Sequence, residues 1–187
     1  MPGPGKVLFL CTGNYYRSRF AELLFNARAA EAGLAWIAES RALAPDLAAI
    51  PNVGPISPHV LRALEERGIR VNGDIRYPLR VTDADLASAD VIVAMKEAEH
   101  RPLLRQRLPG WEDRVEYWHI HDLDGYTPDQ ALPEIERHVA ALLTRLSSHD
   151  PRPTDASRAR AESPAHRPGG AVRGTYGTGG PGDADSR

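Results

Sequence analysis

Apolar positions in the first 150 residues fall into short continuous runs that alternate with helical stripes. Val7, Leu8, Phe9 and Leu10 form an unbroken run after a Pro/Gly-rich start, which predicts a buried strand. Phe20, Leu23, Leu24, Ala27 and Leu34 recur at helical spacing, so a helix is predicted over 18–32, with Gly33 as its stop. The partly apolar stretch 34–40 predicts a second strand, and Pro45, Pro51, Gly54 and Pro55 make 43–56 a long surface loop. A second helix is marked by Ser57 as N-cap, Pro58 at the first position, Val60, Leu61 and Leu64 as its stripe, and Gly68 beyond it. Residues 72–79 read as irregular, and 82–85 cap a short helix. A third buried run occupies 91–95, a charged helix 96–107, and Pro109 and Gly110 end it. The last strand starts over 115–118 and runs on to Asp124. Thr127 opens a final helix with Ile135, Val139, Leu142, Leu143 and Leu146 along one stripe.

Strands alternating with helices predict an α/β fold, a central parallel sheet of about four strands with helices on both faces. Such sheets bind ligands in the crevice outside the carboxyl ends of their strands. Cys11 lies at the end of the first predicted strand and Asp122 at the end of the fourth, so this topology can bring them together. The predicted domain spans residues 5–148. Over 149–187 Pro, Gly, Ala, Arg and Asp dominate, Tyr176 is the one aromatic residue, and no period is present. Such a segment buries too little apolar surface to offset chain entropy, so a disordered tail is expected there.

Composition narrows the classes. The 187 residues suit one domain of ordinary size. A net charge of −2 does not describe a general nucleic-acid binder. One cysteine excludes an intrachain disulfide and with it a disulfide-stapled secreted fold. Only four apolar residues stand between Lys6 and Cys11, too few for a signal-peptide core or a membrane span. A cytoplasmic protein without membrane or nucleic-acid partners is expected.

Candidate chemistry concentrates between the first strand and the first helix. A tight loop carries Cys11, then five residues, then Arg17 and Ser18. A loop closing onto a helix N-terminus turns backbone N–H groups inward and attracts an anion. Arg17 adds a planar fork for two phosphate oxygens. Cys11 lies where that field favours a nucleophilic sulfur. His119 and His121, two apart beside Asp122, share one face of an extended segment, but no further ligands cluster with them as a metal hydrolase requires. The other histidines read as ordinary surface or helix residues. The glycine-rich 177–182 follows no strand, and Gly13 lacks the Gly-Lys-Ser/Thr ending of a nucleotide loop, so ATP or GTP use is unsupported.

The loop resembles that of the low-molecular-weight protein tyrosine phosphatase family, Cys-x-Gly-Asn-x-Cys-Arg-Ser-Pro, through Cys11, Gly13, Asn14, Arg17 and Ser18. Tyr16 stands at the family's second cysteine and Arg19 at its proline. The resemblance implies a flavodoxin-like, three-layer fold and a phosphatase of phosphate monoesters, protein phosphotyrosine first, working through a phosphocysteine without metal or cofactor. It implies that Cys11 is the nucleophile and that Arg17 and the loop residues Thr12, Gly13, Asn14, Tyr15 and Tyr16 hold phosphate or line the mouth. Ser18 is implied to donate to the sulfur, and Ser40 to brace the loop with Asn14. The family's acid lies in a Val-x-Asp-Pro segment, which aligns with 120–123 and makes Asp122 the general acid. Leu123 replaces the proline, and Asp124 is the competing acid two residues on. Tyr126 would flank the substrate ring. The expected partner is a phosphorylated protein or a small phosphate ester. Two rivals are an arsenate reductase on the same fold, whose internal relay one cysteine cannot supply, and a phosphate-recognising module with lapsed catalysis.

Overall fold

A computed structural model describes residues 3–122 and 127–149. Asp124, Tyr126 and residues 150–187 of the expected tail lie outside the described residues, while His149, expected to open the tail, ends the last helix. Four strands, β1 Gly5–Cys11, β2 Trp36–Ala42, β3 Val91–Ala94 and β4 Glu116–Tyr117, form one parallel sheet in the order β2-β1-β3-β4. The helices are α1 Arg17–Glu31, α2 Pro58–Glu66, α3 Asp83–Ala87, α4 Glu97–Arg107 and α5 Pro128–His149.

The central strand β1 is buried on both faces, and its alternation splits the core. Val7, Phe9 and Cys11 face α1, α2 and α5, packing among Phe20, Phe25, Leu64, Ile135 and Val139. Leu8 and Leu10 face the other layer with Ile92, Leu86 of α3 and Leu104 of α4. Phe9 meets both Phe25 and Trp118, at ring centroid separations of 6.0 and 5.5 Å. This is the expected flavodoxin-like, three-layer α/β fold. Among the described residues no helix is long and apolar enough to cross a membrane.

Two element boundaries differ from expectation. The second strand spans Trp36–Ala42 rather than 34–40, because Leu34, just past the end of α1, is tied back to that helix. Gly33 takes φ of +64°, and Leu34 N–H donates to Ala29 O at 2.9 Å, closing the helix. The last strand has two ladder residues, Glu116 and Tyr117, instead of running from 115 towards Asp124. Beyond it the chain stays attached through single bonds, Trp118 N–H to Ala94 O at 2.9 Å and Ile120 N–H to Met95 O at 2.8 Å. Those bonds carry Asp122 to the carboxyl end of the sheet.

Candidate active site

The turn from β1 into α1 sets the site. Asn14 adopts a left-handed backbone with φ of +50°, a conformation asparagine tolerates better than most residues. Its N–H donates to Cys11 Sγ at 3.2 Å. Below the loop, the hydrogen-bond directions follow from counting donors. Asn14 Oδ1 accepts from Arg76 Nη1 at 2.9 Å and from Leu79 N–H at 3.1 Å. Asn14 Nδ2 therefore faces Ser18 Oγ at 3.0 Å and Ser40 Oγ at 2.7 Å, donating to both. Ser40 Oγ also accepts from Arg76 Nη2 at 3.1 Å and gives its hydrogen to Glu22 Oε2. Ser18 Oγ, accepting from Asn14, lies 3.0 Å from Cys11 Sγ. The Asn14 N–H and the Ser18 hydroxyl group thus both lie against the sulfur.

On the other flank, Arg17 is 1% exposed and its guanidinium is fully engaged on one side. Nη1 donates to Ile120 O at 3.0 Å, and Nη2 donates to Glu99 Oε2 at 2.8 Å and Asp122 Oδ2 at 2.7 Å. Burial opposes the Arg17 charge, but Cys11, Asp122 and Glu99 outweigh it and raise its pKa. Glu99 is held in turn by Lys96 Nζ at 3.0 Å. Burial raises the Glu99 carboxyl, yet the Arg17 and Lys96 contacts prevail and lower it.

His100, read from sequence as an ordinary helix or surface residue, is instead fully buried behind the loop. Its Nδ1 accepts from Lys96 N–H at 2.9 Å, so Nε2 carries the hydrogen and donates to Thr12 Oγ1 at 3.2 Å. Burial, with the Arg17 charge, pulls its pKa down from 6.5 to about 3, and the ring is neutral. The α-helical face of 96–107 gave no sign of this, because charged neighbours surround His100 in sequence.

A cavity of about 230 Å³ opens above the sulfur. Thr12, Gly13, Tyr15, Tyr16 and Arg17 line it with Cys11, joined by Ile50, Asn52 and Asp122. Asn14 and Ser18, expected among the substrate-binding residues, do not line it; both are buried beneath the loop. Tyr15 donates its hydroxyl to Val53 O at 2.7 Å and ties the 43–56 loop to the loop between β1 and α1. Tyr16 is buried, and its hydroxyl has no hydrogen-bond partner among the described residues. Burial and then Asp122 push the phenol up, so it stays protonated.

Glu22, Arg76, Glu99, His100, Ile50 and Asn52 carry no motif, and sequence reasoning missed them. Arg76 comes from the irregular 72–79 stretch, where its donors to Asn14, Ser40 and Glu22 are visible only in three dimensions. Arg19 is buried 3.6 Å from Glu22, and its Nε and Nη1 lack hydrogen-bond partners among the described residues. Nothing in the structure explains that choice. His119 and His121 stack edge to face at 4.9 Å, but Lys96 Nζ lies 3.0 Å from His121 Nδ1. Among the described residues no three His, Cys, Asp or Glu side chains gather to hold a metal ion.

Comparison with known proteins places this site in a family. A protein-arginine-phosphatase of Bacillus subtilis (strain 168) is 34% identical over 109 residues, 58% of this chain and 67% of the relative. The structure of a low molecular weight protein tyrosine phosphatase from T. tengcongensis is 27% identical with a TM-score of 0.59, covering 78% of this chain and 99% of that one. A mutant YwlE arginine phosphatase with a phosphorylated active-site serine is 28% identical with a TM-score of 0.61, covering 76% of this chain and 95% of that one. Residues 6–151 match the family described as low molecular weight phosphotyrosine protein phosphatase, and the chain belongs to this family of cysteine-dependent phosphatases.

Proposed function

We propose that the chain hydrolyses phosphate monoesters through Cys11, with protein phosphotyrosine as the first substrate class. The observation that carries this reading is the convergence of the Ser18 hydroxyl and the Asn14 N–H on Cys11 Sγ at the base of the cavity that Arg17 lines. Those donors suit a sulfur that carries negative charge and later departs with it. In the first step the sulfur attacks phosphorus, the bond from phosphorus to the ester oxygen breaks, and Asp122 gives that oxygen a proton. In the second, Asp122 takes a proton from water as its oxygen attacks phosphorus, the phosphorus–sulfur bond breaks, and phosphate leaves. Loop N–H groups and Arg17 hold the equatorial oxygens throughout. The aromatic walls at Tyr15 and Tyr16 suit a flat leaving group.

A second reading, phosphoarginine, is favoured by the relative named a protein-arginine-phosphatase. Turnover of an aryl phosphate, then of matched phosphotyrosine and phosphoarginine peptides, decides between them. Cys11→Ser abolishes turnover, and Arg17→Ala lowers it by about a hundredfold or more. Undiminished hydrolysis by Cys11→Ser overturns the reading. Phosphate binding without turnover by the wild type leaves a recognition module in its place.

A further inference from the structure

The loop after β2 leans on the phosphate loop at one point. A Cβ on Gly13 would stand 3.2 Å from Asn52 Nδ2 and 3.4 Å from Ile50 Cδ1, so glycine permits this close approach. Ile50 and Asn52 thereby form a ridge. On one side lies the cavity above Cys11; on the other lies a second cavity of about 240 Å³. The second shares Gly13, Ile50 and Asn52 with the first and adds Leu47, Ala48, Tyr77 and Pro78, with no charged side chain.

The surface around it is unusual for this molecule. Among the described residues four large apolar side chains are exposed: Ile37 at 44%, Val53 at 86%, Tyr77 at 67% and Leu79 at 46%. Three of the four belong to the two segments that wall the second cavity, since Val53 precedes the lining residue Gly54 and Leu79 follows Pro78. Single exposed apolar residues are ordinary, but a cluster beside a catalytic cleft marks a contact surface. Both walls are anchored to the phosphate loop, through Tyr15 Oη to Val53 O at 2.7 Å and Leu79 N–H to Asn14 Oδ1 at 3.1 Å. The surface is therefore already formed before a ligand arrives.

We propose that this second cavity is a subsite for an apolar side chain next to the phosphorylated residue of a polypeptide substrate, an assignment that rests on the hydrolase reading above. A small phosphate ester fills the first cavity and has nothing to place beyond the Ile50–Asn52 ridge. A polypeptide does, because its neighbouring Cα lies only about 3.8 Å along the chain. The lining carries no charge, so a charged side chain would lose hydration there without a counter-ion, whereas Leu47, Ile50, Tyr77 and Pro78 offer apolar contact.

The test uses peptides built on whichever phosphorylated residue the full-length wild type prefers. Leucine is placed directly before it, directly after it, or replaced by glycine at both positions. A simple aryl phosphate is the control substrate. One leucine peptide is expected to exceed the glycine peptide in kcat/KM by roughly tenfold. Ala48→Glu and Tyr77→Ser, both at exposed positions, should each remove most of that gain while aryl phosphate turnover stays within about twofold. Equal rates for leucine and glycine peptides overturn the subsite, as does a gain that survives both substitutions. Absence of aryl phosphate and peptide turnover by the wild type sinks the hydrolase reading itself, and the subsite with it.

Discussion

On the Asn14 flank of the loop, neutral amide and hydroxyl groups are linked so that each hydrogen has one place to go. On the Arg17 flank, a single guanidinium nitrogen is shared between two carboxylates, 2.8 Å from Glu99 and 2.7 Å from Asp122. The first arrangement fixes direction: Arg76 and Leu79 orient Asn14, Asn14 orients Ser18, and Ser18 addresses the sulfur. The second fixes charge but leaves a choice of partner. Glu99 has Lys96 as well as Arg17, whereas the Asp122 side chain is 38% exposed at the cavity mouth. If phosphate binds at Arg17, as the proposed function requires, the more exposed Asp122 is the carboxylate expected to give way first. On the proposed reading, the rigid flank serves the attacking sulfur and the flank with the shared counter-ion serves the anion.

With Cys11 and Arg17 themselves left intact, the largest loss of turnover among these flank variants should come from breaking the rigid flank. Asn14→Gly keeps a residue at ease with φ of +50° and removes only the amide. It should lower kcat by about 10- to 100-fold, the usual scale for losing a partner that orients a reacting group. Arg76→Lys keeps the charge but not the fork that reaches Asn14, Ser40 and Glu22, and should fall the same way by a smaller factor. Steady-state kinetics showing wild-type kcat for Asn14→Gly would refute the ordering role of this flank.

The exchangeable flank should respond with opposite signs. Asp122→Asn should lower turnover of esters with poor leaving groups, yet tighten inorganic phosphate binding by about twofold to fivefold, the worth of one part-exposed ion pair. Glu99→Ala should weaken phosphate binding, because Arg17 then loses its permanent anchor. Competitive inhibition by phosphate at low and high salt measures both. Tightening in both variants would show that Glu99 leaves as easily as Asp122.

A third effect falls on stability rather than on turnover, and appears only in acid. His100 is neutral in the fold with its pKa near 3, against 6.5 when exposed. Below pH 6.5 the unfolded chain binds a proton that the folded one does not, so stability falls as pH falls through that window toward 3. The slope is at most about 1.4 kcal/mol per pH unit for one group. Denaturant unfolding across that window should show a shallower acid loss for His100→Gln, and an unchanged slope would place His100 outside this account.

The sequence by itself determined the order of elements and the place of the loop that carries Cys11 and Arg17. The run at 7–10, the Ser57–Pro58 start of α2, the Thr82 cap of α3 and the stripe of α5 are local signals, set by side-chain period and by backbone groups within a few residues. The spacing from Cys11 to Arg17 is local too, since one loop and one helix N-terminus build it. Tertiary structure alone decided what surrounds that loop. Glu99 and His100 arrive from α4, Arg76 from an irregular stretch, and Ile50 and Asn52 from a surface loop, each more than thirty residues from Cys11. Their roles depend on distances across the ends of parallel strands, and a periodic pattern records which face a residue takes but not what it meets there. His100 shows the limit best: its neighbours in sequence are charged, and only the packing of α4 behind the loop buries it and keeps it neutral.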